Sequence, residues 1–405
     1  MNIRLTLLAL ALGATQAATA QTATDSLFTA VILSDPHIEQ TGHGGASVGT
    51  MQNYVRHIIA LGREDGMRYQ FETAPGYVPR ADIVFCLGDM DQDNEHTGTN
   101  FRTAFQGLND ADIPFITLLG NHDFVPDYWT GNDPDYGLTL GGVSTNGVSM
   151  KIVDEQLERA QALGVTQLER ITDGTNHTQA RPFTFVFRGV RFYCGQTYWF
   201  QKPYSGFFIN GSTDLSIGHY YAPDGVIRSL DSIATAHADE ASVWMQHYPF
   251  VYGSDCDRWW LDQTDVGKYI KTDDASEYGT DKDLPIWTDA TAAAYARKKK
   301  NRLAAIIGKT RHAVHFSGHV HSYGDNTYDG VRDLTVAAPA ITNGGMFLVL
   351  MKEGEGVMEV KRIELTGPSA AITNAHAGID AQTVYNLTGQ RLPHVPAHGI
   401  YIKGD

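Results

Sequence analysis

The sequence predicts an α/β domain, and two features of the chain lead to this prediction. From Leu27 onward, short runs rich in β-branched and aromatic residues alternate with segments whose apolar residues recur at helical spacing. Such alternation is typical of a sheet whose parallel strands are joined by helices. Several of the strand-like runs also end in polar, glycine-flanked tips such as Gly88-Asp89. Because open α/β sheets bind ligands beyond the carboxyl ends of their strands, these tips are expected to converge.

The elements follow from the same patterns in chain order. The first strand ends at Ser34, and the first helix is predicted because Met51, Tyr54, Val55 and Ile58 share one helical face. Strands are predicted at 27–33, 81–87, 113–119, 183–187, 190–194, 243–247, 313–316, 331–337, 346–351 and 357–365, and helices near 51–61, 101–108, 226–238 and 289–307. The strands at 183–187 and 190–194 are expected to form a hairpin.

Three segments are predicted to be loops that border the ligand site, namely 38–50, 124–150 and 249–287. They contain the candidate substrate contacts, for which ordinary loop packing is the alternative: His43, Arg258, Trp259 and Trp260, with Tyr204 from elsewhere in the chain. The basic run 297–302 in the last predicted helix is interpreted as a solvated face near a helix end, where cations suit the helix dipole.

Composition limits the class of partner. The chain has 405 residues, of which 42% are hydrophobic and 19% charged, enough for one large domain with appendages. Its net charge of −15 repels polyanions, so a nucleic acid polymer is not expected as a partner. A small anionic substrate stays compatible with this charge if local cations offset the field. The sequence does not predict the oligomeric state.

The first twenty residues are predicted to be a secretory signal peptide. Arg4 precedes the apolar run 5–12, and Ala18-Thr19-Ala20 has the small-x-small form of a cleavage site. The protein is therefore expected to be exported to a periplasmic, cell-surface or extracellular location. No later stretch approaches the roughly 18 apolar residues of a membrane span. The predicted organisation is a signal peptide at 1–20, one large folded domain at 25–366 and a linker with a short tail at 367–405.

Three cysteines can form at most one disulfide, although an exported protein meets oxidising conditions. Cys86 and Cys194 lie in apolar strand-like runs, which favours buried, unreactive thiols. No cysteine spacing indicates a structural zinc site.

The polar strand tips together predict a metal centre. A single Asp-x-His or His-x-His pair is weak evidence, but eight metal-compatible side chains follow predicted strands: Asp35, His37, Asp89, Asn121, His122, His247, His319 and His321. This donor count fits two divalent ions better than one, with Asp89 placed to bridge them. Two ions of this kind clamp the attacking and leaving oxygens of a phosphoryl displacement. Manganese, iron and zinc all suit mixed His, Asp and Asn ligation.

The ordered series of motifs resembles the signature of the calcineurin-like metallophosphoesterase superfamily. The motifs are Asp35-x-His37, Gly88-Asp89, Gly120-Asn121-His122-Asp123, His247 and Gly318-His319-x-His321. The resemblance covers about residues 27–365. It implies a four-layer αββα sandwich, in which two mixed sheets lie face to face with helices outside. It also implies a hydrolase that binds two divalent or mixed-valence ions and uses a metal-bridging hydroxide as the nucleophile.

The same resemblance implies a role for each motif residue. One ion would be bound by Asp35, His37, Asp89 and His321, and the other by Asp89, Asn121, His247 and His319. His122 would lie beside the metals and stabilise or protonate the leaving alkoxide. Asp123 would orient His122, and an Asx turn or a helix cap is the alternative role for its carboxylate.

Departures from known branches narrow the substrate class. The chain lacks the arginine that follows the Gly-Asp motif in protein Ser/Thr phosphatases, and Gln92 stands where purple acid phosphatases have a tyrosine ligand. Only about eighty residues follow His321, fewer than the second domain of the 5′-nucleotidase type needs. The best resemblance is to the branch that includes cyclic-nucleotide, glycerophosphodiester and sphingomyelin-type phosphodiesterases. The expected activity is hydrolysis of a phosphodiester or phosphomonoester. A secreted, non-catalytic metal- or glycan-binding protein with the same fold is the alternative.

The tail has a resemblance of its own. Residues 384–392 together with 399–402 resemble the end of the C-terminal sorting domains used in type IX secretion. A short β-hairpin without a sorting role is the alternative.

Overall fold

The computed structural model describes most of the predicted domain and four short strands of the tail. The described residues are 26–39, 45–63, 69–90, 98–120, 123, 147–171, 182–196, 223–251, 300–340 and 344–364, with the short strands 139–140, 143–144, 198–199, 203–204, 372–374, 384–385, 391–392 and 402–404. Structural statements below refer to these residues.

A five-stranded mixed sheet forms the first half of the core. Its strands, in spatial order, are β16 (Gly356–Glu364), β15 (Gly345–Lys352), β1 (Leu27–Leu33), β2 (Ile83–Cys86) and β3 (Phe115–Thr117). The strands β1, β2 and β3 are parallel, whereas β15 is antiparallel to both of its neighbours. Strand β1 is almost completely buried, as expected for the central strand of a covered sheet.

A seven-stranded mixed sheet forms the second half. Its spatial order is β13 (Gly324–Tyr328), β14 (Val331–Thr335), β12 (Arg311–Ser317), β11 (Ala241–Met245), β8 (Val190–Cys194), β7 (Phe183–Phe187) and β6 (Thr166–Arg170). The strands β14, β12, β11 and β8 are parallel, and the remaining pairs are antiparallel. The parallel strands of each sheet lie together, so each sheet has one edge where several carboxyl ends meet.

The two sheets pack face to face through aromatic side chains. Phe85 of β2 stacks on Phe192 of β8 and on Phe185 of β7, with ring centroids 5.3 and 6.3 Å apart. On the same interface, Phe28 of β1 packs edge-on against Phe187 of β7 at 5.8 Å. These rings are buried and form the centre of one continuous hydrophobic core.

Helices cover the outer faces. The described helices are α1 (Val48–Ala60), α2 (Thr99–Asp110), α3 (Gly147–Ala162), α4 (Pro223–Ala236) and α5, over residues 300–307. Phe101 and Phe105 of α2 stack on Phe115 of β3, a neighbour in register with Val84 and therefore on the face opposite Phe85.

On the outer face of the other sheet, the buried Trp244 of β11 stacks on Tyr193 of β8. Its indole N–H donates to the hydroxyl of Thr310, just beyond α5, at 3.1 Å. Helix, sheet, sheet and helix therefore follow one another, and the predicted four-layer αββα sandwich of two mixed sheets is confirmed.

Removal of the Phe85 ring should leave a large cavity between the sheets. Phe85→Ala is expected to lower the free energy of unfolding by about 3–5 kcal/mol, as is usual for a truncated buried phenylalanine. Val78→Ala is the control, because Val78 is 52% exposed and its loss should change stability by less than about 0.5 kcal/mol. Urea unfolding of both variants checks this prediction, and a Phe85→Ala loss as small as that of Val78→Ala would contradict the packing described above.

Most predicted strands are present with ends shifted by one to three residues, and the hairpin of β7 and β8 has the predicted bounds. The prediction of a continuous loop over 124–150 is wrong, because short strands occur at β4 (Thr139–Leu140) and β5 (Val143–Ser144) and α3 begins at Gly147. The prediction of a solvated basic face is wrong for Lys300. Its side chain is buried and donates to the carbonyl of Phe250 at 3.0 Å.

The cysteine predictions are confirmed for the two residues that the structure describes, since Cys86 and Cys194 are buried and unbridged. Cys256 lies outside the described residues, as do the predicted signal peptide and most of the loop 249–287. None of the described helices is long and apolar enough to cross a bilayer.

Three small sheets complete the described elements, and one of them is the antiparallel pair of β4 and β5. Strands β9 (Tyr198–Trp199) and β10 (Pro203–Tyr204) pair antiparallel. The tail contributes a four-stranded sheet of order β17 (Ile372–Asn374), β20 (Ile402–Gly404), β18 (Val384–Tyr385) and β19 (Arg391–Leu392). The tail therefore forms more than a single hairpin, and its sorting role stays a prediction.

Candidate metal centre

The candidate ligands lie where the parallel strands of both sheets end. Asp35 and His37 follow β1, and Asp89 follows β2. Their loops run side by side, since Asp35 N–H donates to the Gly88 carbonyl at 3.1 Å and His37 N–H to the Asp89 carbonyl at 2.9 Å. From the other sheet, His247 follows β11 and is joined to the loop after β12 by a hydrogen bond from the Gly318 N–H.

Five of the candidate ligands have left-handed backbone conformations. They have φ between 39° and 70° and are Asp35, His37, Asp89, His319 and His321. This region is uncommon for residues with a Cβ, and strained residues of this kind cluster at functional sites. The turns that follow the strands therefore hold these side chains in place at a conformational cost.

Glycines next to the ligands allow the loops to touch. A Cβ at Gly120 would lie 2.2 Å from Asp89 Oδ1, and one at Gly318 would lie 2.5 Å from Asp35 Oδ2. Each carboxylate is thus packed directly against the main chain of another motif. Glycine is required at both positions because a Cβ would prevent this close approach of the backbone.

A methyl group at position 120 should displace the Asp89 carboxylate. Gly120→Ala is expected to weaken metal binding by about 10–100-fold, the usual range for changes in groups that orient metal ligands. Gly49→Ala is the control, because a Cβ there meets only Ser47 Oγ at 3.8 Å and alanine favours the helix α1. Equilibrium dialysis with Mn²⁺ measures both variants, and wild-type affinity in Gly120→Ala would show that Asp89 does not bind metal.

The first group of ligands consists of Asp35, His37, Asp89 and His321, whose ligating atoms lie within 4.8 Å of one another. His37 Nε2 is 3.4 Å from Asp89 Oδ2, and His321 Nε2 is 3.4 Å from Asp35 Oδ1. The two imidazole nitrogens, Nε2 of His37 and Nε2 of His321, face each other at 3.0 Å. This group could hold a metal ion.

The second group consists of Asp89, His247 and His319. His247 Nε2 is 3.2 Å from Asp89 Oδ2 and 3.3 Å from His319 Nδ1. The other ring nitrogen of His247, Nδ1, is 2.8 Å from the Leu87 carbonyl, so a proton on Nδ1 would leave Nε2 as the acceptor. Orientation of a histidine ligand by a backbone carbonyl in this way is common in metal sites.

His37, which follows β1 in one sheet, and His247, which follows β11 in the other, both approach the same carboxylate oxygen, Asp89 Oδ2. Asp35, His37, Asp89 and His247 are almost completely buried, whereas the His321 side chain is 27% exposed. His319 is also partly exposed, so solvent reaches the described part of the centre from the side of His319 and His321. Two carboxylates and four imidazoles form a donor set that suits manganese, iron or zinc.

The electrostatics of the centre are those of tightly packed acids and imidazoles. Burial alone would lower the pKa of His247, but the Asp89 and Asp35 carboxylates raise that pKa to about 9. Burial, together with the charge of His247, lowers the pKa of His319 to about 3. Burial alone would raise the pKa of Asp35, yet the charge of His247 and a hydrogen bond from His321 bring it below its usual value. The Asp35 and Asp89 carboxylates therefore favour a positive charge between them in the candidate centre.

Asp123 supports the loop that carries Asp89. Its buried carboxylate accepts hydrogen bonds from three backbone N–H groups, those of Asp89 at 2.9 Å, Met90 at 2.8 Å and Gly120 at 2.6 Å. Burial, and then repulsion by Asp89, raise the pKa of Asp123 to about 8. This contact with the Asp89 loop joins two motifs and does not follow from the sequence, which predicts orientation of His122 or an Asx turn or helix cap as the role of Asp123.

Asn121 and His122 lie outside the described residues, so their predicted roles stay predictions. The same holds for the candidate loop contacts His43, Arg258, Trp259 and Trp260, and of Tyr204 only its place in β10 is described. One contact of the centre was missed from the sequence, namely the buried Tyr248, whose ring centroid is 4.4 Å from that of His319. The only sequence signal for it is its position directly after His247.

Comparison with known proteins gives weak similarities only. No protein-family model and no curated protein matches the chain. Among solved structures, one similar protein is GAP50, the anchor in the inner membrane complex of Plasmodium, with 11% identity and a TM-score of 0.35 over 84% of this chain and 90% of that one.

Two further solved structures are similar at the same level. A putative 5′-nucleotidase from Staphylococcus aureus has 12% identity and a TM-score of 0.35 over 84% of this chain, which spans 54% of the nucleotidase. The phosphopantetheinyl hydrolase of Mycobacterium tuberculosis has 14% identity and a TM-score of 0.32, over 78% of this chain and 91% of that one. Similarities this weak carry no argument about the activity of this chain.

Proposed function

We propose that this chain is a metallophosphoesterase of the calcineurin-like superfamily that hydrolyses phosphoesters with two bound metal ions. The observation that supports this proposal is the position of Asp89. Its carboxylate belongs to both groups of candidate ligands, with Oδ2 within 3.4 Å of His37 Nε2 and 3.2 Å of His247 Nε2. A carboxylate shared by two histidine-rich groups is suited to bridging two ions.

The proposed ligands are Asp35, His37, Asp89 and His321 for one ion and Asp89, Asn121, His247 and His319 for the other. Two divalent ions in such a site supply a nucleophile from bound water at neutral pH and polarise the phosphoryl oxygens. The ligands are preorganised for this chemistry, because their backbone turns and hydrogen bonds fix their positions without a bound metal. The ions would also make the centre attractive to an anionic phosphate despite the acidic surface.

His122 is proposed to protonate the leaving oxygen of the ester. Its position in the sequence, between a candidate ligand and the buried Asp123, would keep it beside the centre. The proposed substrate is a small phosphodiester or phosphomonoester that enters on the side of His321.

A combined metal and activity assay tests the proposal. The purified chain, loaded with Mn²⁺, should contain two ions per molecule and should release p-nitrophenol from p-nitrophenyl phosphate, bis-p-nitrophenyl phosphate or both. His247→Ala should lose activity and one of the two ions. His312→Ala is the matched control, because His312 is an exposed residue of the same sheet at the start of β12.

The outcomes separate the two candidate functions. A chain that binds two ions but hydrolyses no ester in a broad panel of monoesters and diesters would be a metal-binding protein that retains the fold, and the proposal of an enzyme would be wrong. A chain that binds no divalent metal would contradict the metal centre itself.

Export is proposed on the pattern of residues 1–20 alone. Expression of the full-length chain in a bacterial host should give a mature protein whose first residue is Gln21. Recovery of a protein that still starts at Met1 in the cytoplasm would contradict this proposal.

A further inference from the structure

A buried polar cluster lies behind the candidate metal centre and is centred on Asp333 in β14. The fully buried Asp333 carboxylate accepts four hydrogen bonds. Its Oδ2 accepts the N–H groups of Phe250 at 2.7 Å and Val251 at 3.1 Å. Its Oδ1 accepts Nδ1–H of His315 at 2.8 Å and the hydroxyl of Ser317 at 3.3 Å. Burial of a carboxylate costs free energy unless its oxygens accept hydrogen bonds. The four hydrogen bonds offset this cost and tie Asp333 to its partners.

Hydrogen bonds to its backbone and contacts with its ring fix the position of Phe250. Its carbonyl accepts Nζ of Lys300, a lysine with only 4% exposure, at 3.0 Å. Its ring packs against His315, with centroids 4.7 Å apart, and stacks on Tyr328 at 5.2 Å. Both peptide groups of this residue therefore bind buried charged side chains. Asp333, His315, Lys300 and Tyr328 are called the Phe250 clamp below.

Two short pieces of chain connect the clamp to the second ligand group. Phe250 is the third residue after His247, and the intervening Tyr248 has its ring 4.4 Å from that of His319 and 5.3 Å from that of His247. His315, in the clamp, is the fourth residue before His319 on the same strand and its following turn. The clamp thus binds together the two segments that carry both histidines of the second group.

The first ligand group is held mainly by loops of the other sheet, away from the Phe250 clamp. Three of its four ligands, Asp35, His37 and Asp89, lie in the hydrogen-bonded loops after β1 and β2 of the other sheet, and only His321 lies in the turn after β12 that also carries His319. Displacement of the clamp should therefore affect the two ligand groups unequally.

We propose that Asp333 is a positioning residue for the second metal ion, acting through Phe250 on His247 and through His315 on His319. This inference rests on the two-metal centre proposed above. It assigns to the clamp a task beyond stability, namely to keep the two imidazoles at a separation that one ion can bridge. The sequence gives no sign of it, because Asp333 lies 83 residues from Phe250.

Stepwise metal binding tests the proposal. Calorimetric titration of the metal-free chain with Mn²⁺, at a temperature where every variant is folded, should resolve two steps. His37→Ala and His247→Ala identify which step belongs to which ligand group. Asp333→Asn should weaken the His247-dependent step by about 10–100-fold and change the His37-dependent step by less than about threefold, the first being the usual effect of losing a group that orients a ligand.

Two further variants make the result decisive. Asp325→Asn is the matched control, because this exposed carboxylate on the neighbouring β13 pairs with Arg332 at the surface, and both steps should be unchanged. Lys300→Met removes the hydrogen bond to the Phe250 carbonyl, should weaken the same step as Asp333→Asn, and decides the question if Asp333→Asn does not fold.

A lower unfolding temperature with both binding steps unchanged would overturn the proposal, since that is the result of a purely structural role. Equal weakening of both steps, or selective weakening of the His37-dependent step, would overturn it as well. If neither His37→Ala nor His247→Ala alters Mn²⁺ binding, the two-metal centre is wrong and the inference is overturned with it. That result differs from a failure of the inference alone, in which both histidine variants still change metal binding.

Discussion

Asp89→Asn is expected to give a folded chain that holds one metal ion or none and no longer hydrolyses phosphoesters. Both candidate ligand groups contain Asp89, so its replacement affects both sites at once. An amide retains the shape of the side chain but lacks the charge that makes a carboxylate a strong ligand for two cations. The loss in metal affinity should exceed the roughly 10–100-fold effect of groups that only orient ligands.

Metal analysis of the purified variant and assays with nitrophenyl esters measure this effect. Asp110→Asn, an exposed residue of α2 that accepts a hydrogen bond from Gln106, is the control for the same chemical change. Asp89→Asn with two ions per chain and near wild-type turnover would refute the shared ligand.

His122→Ala should behave differently, because His122 is predicted to act on the substrate and not on the metals. The variant should retain both ions and lose about 10²–10⁴-fold in rate, the usual contribution of a general acid. The loss should be smaller for esters with p-nitrophenolate as leaving group, since this anion leaves with little need for a proton.

Rates of His122→Ala measured on a series of esters with leaving groups of increasing pKa test the role of His122 directly. His177→Ala provides a control for loss of an imidazole from a residue that no motif contains. A rate loss of the same size for every leaving group would exclude the general acid role, and loss of metal would assign His122 to the ligand set.

The convergence of the candidate ligands could be predicted from the sequence because its signals are local. Each motif combines a short polar tip with a preceding apolar strand, and parallel strands bring their carboxyl ends to one edge. Asp35, His37, Asp89, His247 and His319 come together in the structure as this argument requires. The hairpin turn at Arg188-Gly189 was equally local, and the bounds of β7 and β8 were predicted without error.

Helix α3 is harder to predict from the sequence. Its buried residues Ile152, Val153 and Leu157 are separated by charged and polar residues, and its first turn follows a segment rich in glycine. The amphipathic pattern is therefore weak over the length of the helix. Burial against β3 defines this helix more than its own sequence does.

The supporting contacts of the centre depend on partners that are distant in the chain. Lys300 is part of a basic run that is typical of a solvated helix face, yet its buried ammonium donates to the carbonyl of Phe250 and lies 4.8 Å from the centroid of the Tyr328 ring. Orientation of His122, or an Asx turn or helix cap, stays the predicted role of Asp123, but its contact with the backbone N–H of Asp89, 34 residues away, has no sequence signal. Local patterns predict candidate metal ligands, but they do not predict the residues that hold those ligands in place.

The central claim is that two metal ions share the carboxylate of Asp89, and anomalous diffraction from crystals grown with Mn²⁺ tests it most directly. The account predicts two anomalous peaks about 3.5–4 Å apart, the usual spacing of two-metal sites. One peak should lie among Asp35, His37 and His321, the other beside His247 and His319, and Asp89 should contact both. A single peak, or two peaks of which only one touches Asp89, would contradict the account.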